Sequence, residues 1–552
     1  MARIACKIFI VLSVIFLFAG CGNKDGIGGS SRGDNGGGSS GGGGTPSLLF
    51  PDCSGNFCGA DGASYTGSGI GVWRYKNEGT RNAALDVNIS NVANRDITIV
   101  FTNEGTGSAV LPNIPIDTTL NSQMEINTMG ENIVQISNYI PKRVREFNEN
   151  PVLKTTEIRA IKAQNANTWV VGDQKEWYII NSDDQDVICT ATLIKKETLS
   201  NGVVVNIWIQ NDEYGNGKIT ETMLNNIAQK LNGIISRATE LIGEPWGTHR
   251  YSNLIPADEP LNIVFANFEN AGNSLWTLGY FYSLNNFLNE PNSNEALAVF
   301  IDTELFYMNT FSNGELKGIS TIAHELTHAI HFYQRNVLMD DGFNTFLNEM
   351  SAVMMEDIAA KKIDTSFNGI KGRYTDWLDG PLYRYNFSEW GAYGGDNSYD
   401  IAGSLGSFLL RQYGTDFYRT LFQTSSDLSI TGVNTNETTR KRSLDVLDRA
   451  IKQYDSGGLR SAVRHWGASI AMLPYDASPT GFGYPRRYEA NSGVEFEEFN
   501  GADYKQYRKL PTSSSQTIYP YGHFPFLRKT TNNIFTERFS VPPQVSVSVV
   551  VQ

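Results

Sequence analysis

Two histidines four residues apart, with a glutamate directly after the first, stand in Thr321-Ile-Ala-His324-Glu325-Leu-Thr-His328-Ala-Ile330. Ile319, Ile322, Ala323, Leu326 and Ile330 recur at helical spacing, which predicts an amphipathic helix with one buried stripe. His324 and His328 then stack on one face about one turn apart. Two imidazoles so placed can reach one tetrahedral Zn²⁺ at about 2.0–2.1 Å. Glu325 is placed to face a metal-bound water and take its proton as general base. A chance occurrence of this pattern is expected roughly 0.003 times in such a composition, so the motif carries weight. The third ligand is Glu349, in Phe346-Leu-Asn-Glu349-Met-Ser-Ala352. Asp340, Asp341 and Gly342 separate its helix from the first, and Asn344 is the expected N-cap. An antiparallel helix pair brings Glu349 beside the histidines, and two His plus one Glu leave the open position that hydrolysis needs. His331 lies a further turn along and is assigned a supporting role; Glu356 and Asp357 lie two turns beyond Glu349.

The run His324-Glu-Leu-Thr-His-Ala, followed by Asn348-Glu349, resembles the gluzincin zinc peptidases, thermolysin included. More closely, His328-Ala-Ile-His-Phe332, Asn292-Ser-Asn-Glu295 with its following strand, and Tyr399 through Gly414 resemble the hyicolysin family of secreted bacterial metallopeptidases. The resemblance covers residues 166–472. It implies a zincin-type domain with one Zn²⁺ per chain, and an endopeptidase acting on protein or peptide substrates outside the cytoplasm. Tyr399 resembles the tyrosine that stabilises the oxyanion in related peptidases, with His465 as competitor. The sequence departs from the thermolysin pattern at Val353, where an Asp supporting the first histidine is expected. Orientation of that histidine must come from elsewhere. The departure, together with the accessory β domain at 48–165, also keeps open a second reading, a surface adhesin or binding lipoprotein on a degenerate peptidase scaffold. Strand addition to a sheet edge at Thr277–Ser283 would hold an extended substrate.

The elements that must position these residues follow from periodicity. Strands are predicted at Trp177–Ile180, Val187–Leu193, Val203–Ile209, Leu261–Phe265 and Ala296–Ile301, with a helix from Thr220 to Leu241. Asn211–Gly217 partly imitates a calcium loop but lacks carboxylates at two ligand places, so it reads as a turn capped by Thr220. Helical period then continues to about residue 472. Before residue 165 the alternation in Leu85–Ile89 and the apolar run Ile97–Phe101 predict strands, and the chain closes on a further strand, Gln544–Val551. The expected class is α+β: a mixed sheet followed by the motif helix and a helical subdomain. Its parts are a signal peptide (1–20), a tether (21–47), a β-rich accessory domain (48–165), the peptidase domain (166–472) and a β-containing C-terminal region (473–552).

The 552 residues include 45 basic and 58 acidic side chains, a net charge of −13 that speaks against nucleic-acid binding. A 40% hydrophobic fraction excludes a mainly disordered chain. Twelve of the 53 glycines fall within residues 22–47, with five serines, which makes a flexible tether of roughly 28 Å reach. Arg32-Gly33-Asp34 inside it is ascribed to chance. Arg3 and Lys7 precede an apolar run from Ile8 to Phe18, too short to span a bilayer and suited to an export signal. The run ends in Ala19-Gly20-Cys21, which resembles a bacterial lipobox with Phe18 where Leu is usual. That resemblance implies cleavage before Cys21, acylation of its thiol, and a lipid anchor on the outer side of a bacterial membrane. An ordinary signal peptide with an incidental cysteine is the alternative. Cys53 and Cys58 can close a small disulfide loop outside the cytoplasm, and Cys189 is expected as a buried thiol.

Overall fold

The computed structural model describes residues 49–117, 137–138, 140–154, 169–308 apart from 272 and 274, 313–429, 436–513 and 517–552. The signal, Cys21, the tether and its Arg32-Gly33-Asp34 lie outside the described residues. Pro46–Gln552 forms one unit.

The N-terminal part supplies β1 (Gly71–Lys76), β2 (Ala83–Ser90) and β3 (Asp96–Asn103). In β2 the alternation works as expected: Leu85, Val87 and Ile89 are buried while Asn88 faces water. A short helix, α1 (Lys142–Glu149), comes next. Then follow β4 (Gln174–Ile180), β5 (Asp186–Thr198), β6 (Val204–Gln210), α2 (Glu221–Ile242), β7 (Leu261–Ala266), β8 (Gly279–Phe281) and β9 (Ala298–Asp302). The helical half comprises α3 (Gly314–His331), α4 (Thr345–Ile363), α5 (Ile370–Asp379), α6 (Gly395–Gln423), α7 (Asn436–Lys452) and α8 (Gly458–Ala468). The chain finishes with β10 (His523–Lys529), β11 (Ile534–Val541) and β12 (Val545–Val551).

Six strands form the central sheet in the order β8-β9-β7-β6-β5-β4. β6, β7 and β9 run parallel, and the other neighbours pair antiparallel. β7 and β9 are buried throughout and β6 at all but its two ends, as an apolar run covered on both faces should be. Thr220 caps α2 by accepting from the Met223 amide at 3.2 Å. In the preceding turn the Glu213 carboxylate takes hydrogen bonds from Lys218, Thr303 and Tyr307, so the turn needs no cation to satisfy it.

The two flanks, expected as separate regions at 48–165 and 473–552, share sheets. β12 lies between β1 and β3 and is antiparallel to both, with Val547 opposite Tyr75 and Phe101. β10 extends the same sheet on β3, and β11 pairs with β2 in a second sheet. Every residue of β12 is buried, so this strand needs partners on both edges and cover on both faces. Both edge partners are distant N-terminal strands. Ile70, Val72 and Val550 then pack against Ala468, Ala471, Leu473 and Phe482, which joins the β body to α8. Gly467 permits this approach, since a Cβ there would lie 2.3 Å from His523 Nδ1. Cys53 and Cys58 form a disulfide on the β body, and Cys189 is a buried thiol. No helix among the described residues is long and apolar enough to cross a membrane.

Candidate active site

Helix α3 is buried along most of its length, from Gly318 to His331. Its apolar stripe packs on β9 and β8 and on α2, while α4 covers the opposite side. Gly318 lets α3 sit against Phe306, which a Cβ would meet at 2.2 Å. This packing fixes the rotation of α3. His324, Glu325 and His328 therefore project together: their ligating atoms lie within 4.8 Å of one another and all three residues are buried.

Helix α4 brings Glu349 to the same point. Glu349 Oε2 stands 3.1 Å from His324 Nε2 and 3.5 Å from His328 Nε2. The remaining ring nitrogens face away. His324 Nδ1 lies 2.7 Å from Glu356 Oε1, and His328 Nδ1 lies 3.0 Å from Asn348 Oδ1. Since both acceptors hold a proton on Nδ1, the Nε2 lone pairs are left for a metal. His328 Nε2 and Glu325 Oε2 are buried, and neither has a hydrogen-bond partner among the described residues. Buried polar atoms left without partners call for an occupant, and His324, His328 and Glu349 together offer two imidazole nitrogens and a carboxylate, the donor types that suit zinc with one position open. The residues present thus fit the metal.

The electrostatics agree. Burial works against the His324 cation, but hydrogen bonds to Glu349 and Glu356 push its pKa up to about 10. His328 is raised as well, with burial opposed by the charge of Glu349. Burial would raise Glu349, yet the His328 charge and the hydrogen bond with His324 hold it well below the carboxylate range. A cation at this point would compete with the protons that the two imidazoles otherwise hold. Burial raises Glu325, against the lowering effect of the His324 and His328 charges, which favours a carboxylate able to accept and return a proton.

Glu356 replaces the support that Val353 cannot give. It sits seven residues after Glu349, two turns along the same face of α4, and also meets Ser320 Oγ at 3.3 Å and Arg373 at 3.5 Å. The i, i+7 relation was visible in the sequence and is the signal that identifies it. Asn348 had no such signal beyond its adjacency to Glu349. Tyr399, on α6, donates to Glu349 Oε2 at 2.9 Å, with its ring against Trp390 and under Arg373. His465 lies elsewhere, 3.5 Å from Asp52 and stacked on Phe482. His331 accepts from the Phe343 amide at 2.9 Å, so it secures the turn between α3 and α4. Asn344 occupies the N-cap position of α4, but its side chain makes no capping bond. The cap comes from Glu149 on α1, whose Oε1 accepts from the Thr345 amide at 2.6 Å. Local sequence signals do not carry a cap supplied from almost two hundred residues away.

β8 is the edge of the central sheet and passes the site, within the expected 277–283 stretch. The wall facing it contains Arg145, Asn148 and Glu149.

A model of the family Peptidase M30 matches residues 185–552, which includes every residue named at the metal site. A second model, Domain of unknown function (DUF8571), matches residues 51–116 in the β body. No curated protein matches the chain.

Proposed function

Because the chain belongs to the peptidase M30 family and is a metallopeptidase by that membership, we propose that it is a zinc endopeptidase acting on protein substrates outside the cytoplasm. His324, His328 and Glu349 would hold one Zn²⁺, and Glu325 would serve as general base. The observation that carries this reading is the convergence of Glu349 Oε2 with both histidine Nε2 atoms, beside the unbonded Oε2 of Glu325. When bound, zinc supplies Lewis acidity to a water and to a peptide carbonyl.

The chain's own residues do the rest. Glu356 and Asn348 keep the Nδ1 protons in place and so fix both ring orientations. Glu325 takes a proton from the attacking water and returns it to the leaving amine. The Tyr399 hydroxyl, already inside the site, turns from Glu349 toward the developing oxyanion. The adhesin reading drew on Val353 and on the accessory β domain; with Glu356 bonded to His324, Val353 no longer argues for it.

Glu325→Gln tests the assignment. It should bind zinc as the parent does and lose casein cleavage by at least about a hundredfold. Parental turnover by this variant would refute the base assignment, and a purified parent that takes up no zinc would refute the metal site. The extracellular placement draws support from the Cys53–Cys58 disulfide, which fits an oxidising compartment. Anchoring through Cys21 predicts incorporation of labelled fatty acid that Cys21→Ser abolishes; equal labelling refutes it.

A further inference from the structure

The edge of β8 is where an extended peptide would pair, and it is already engaged. Asn148, at the end of α1, donates from Nδ2 to the Phe281 carbonyl at 2.7 Å. Its Oδ1 accepts from the Ser283 amide at 2.8 Å and from the Ser283 hydroxyl at 2.7 Å. One carboxamide thus satisfies the carbonyl of the last β8 residue and an amide two residues on, at the start of the turn that follows the strand. A residue of a strand added parallel to β8 would offer the same pair of groups, one donor and one acceptor.

The next residue reaches the ligand helix. Glu149 Oε1 accepts from Asn344 Nδ2 at 2.7 Å, and from the Thr345 amide and hydroxyl at 2.6 Å each. With α1 in place, the cavity bounded by Glu325, His328 and Glu349 on one side and Arg145 and Asn148 on the other measures about 10 Å³. That volume accommodates about one water and no peptide.

We infer that α1 is an intramolecular plug: Asn148 stands in for the main chain of a substrate residue on the edge of β8, and Glu149 secures the plug to the start of α4. The rest of α1 is an anchor. Val144 is buried, the Phe147 ring meets Tyr282 and Phe287 edge-on, and Arg143 bonds Asp184 and Asp186 at 2.7 and 2.8 Å. α1 precedes the region that the family model spans. Substrate enters only when the tip of α1 is displaced from β8. This inference rests on the proposed peptidase function for the nature of the occupant, an extended peptide.

The test uses the full chain in the Glu325→Gln background and reads binding, not turnover. The probe is a short fluorescein-labelled extended peptide, followed by anisotropy. Asn148→Ala should bind it about tenfold more tightly, as expected from loss of competing hydrogen bonds. Asn148→Asp should show a smaller gain, since a carboxylate still accepts from Ser283 but repels the Phe281 carbonyl. It also provides the measurement if the alanine variant unfolds. A synthetic peptide of residues 140–154 added to the alanine variant should displace the probe. Unchanged or weaker binding in both variants, or no displacement, would overturn the plug. If binding tightens but a zinc-loaded Asn148→Ala chain with Glu325 intact still cleaves nothing, the plug stands and the peptidase reading falls.

Discussion

Replacing Glu356 by alanine separates metal support from metal ligation. Glu356 is the hydrogen-bond acceptor for His324 Nδ1, at 2.7 Å in a site where the imidazole is about 1% exposed. Hydrogen bonds to charged groups contribute about 1.5–3 kcal/mol, and outer partners of zinc-binding histidines typically change affinity by about 10–100-fold. At about 1.4 kcal/mol per factor of ten these two ranges coincide, so Glu356→Ala should weaken zinc binding by one to two orders of magnitude. Arg373, 3.5 Å from Glu356, loses a carboxylate neighbour at the same time. Glu356→Gln keeps an acceptor oxygen without charge, and charge-assisted bonds are about twice as strong as neutral ones, so its loss should be about half as large in free energy. The assay is competition for zinc against a fluorescent chelator near neutral pH, with the thermal midpoint of the zinc-free proteins as a control for folding. Zinc affinity unchanged in Glu356→Ala would refute the argument that Glu356 fills the role left vacant at Val353.

Tyr399→Phe removes a hydroxyl that is 2.9 Å from Glu349 and leaves the buried ring in place. The expected result is a fall in kcat of about tenfold to a hundredfold with KM nearly constant; a change confined to KM would deny it an oxyanion role. Stability at the joint between the β body and α8 should depend on pH. Burial lowers the His523 pKa from 6.5 to about 3. The folded state then binds fewer protons than the unfolded chain, so the stability from neutral His523 is complete above pH 6.5 and is lost as pH falls from 6.5 toward 3. His523→Gln should flatten the urea-stability profile over that window by up to about 1.4 kcal/mol per pH unit relative to the parent; parallel profiles would contradict it.

Much of the chemistry was legible because it is local. His324, Glu325 and His328 share one helix, and a helix turns residue spacing into relative direction without help from the rest of the chain. The break at Asp340–Gly342 and the spacing to Glu349 made the second helix readable for the same reason. Glu356 was equally readable as an i, i+7 partner, and the absence of Asp at 353 drew attention away from it. His465 failed as a candidate because its residue type suited the chemistry and nothing in the sequence states which side of α8 meets the site. Asn344 sat at the expected cap position, but Glu149 from α1 had taken the bond.

By itself, then, the sequence determined that His324, Glu325 and His328 share one face of one helix, and it set out five of the six strands of the central sheet, since each follows from short-range periodicity. The tertiary structure alone decided which carboxylate orients His324, what caps α4, where β12 pairs and what lies against the edge of β8. Those are contacts between residues far apart in the chain. Pair energies of one or two kcal/mol choose among many partners there, and only the packing of the whole core shows which were chosen.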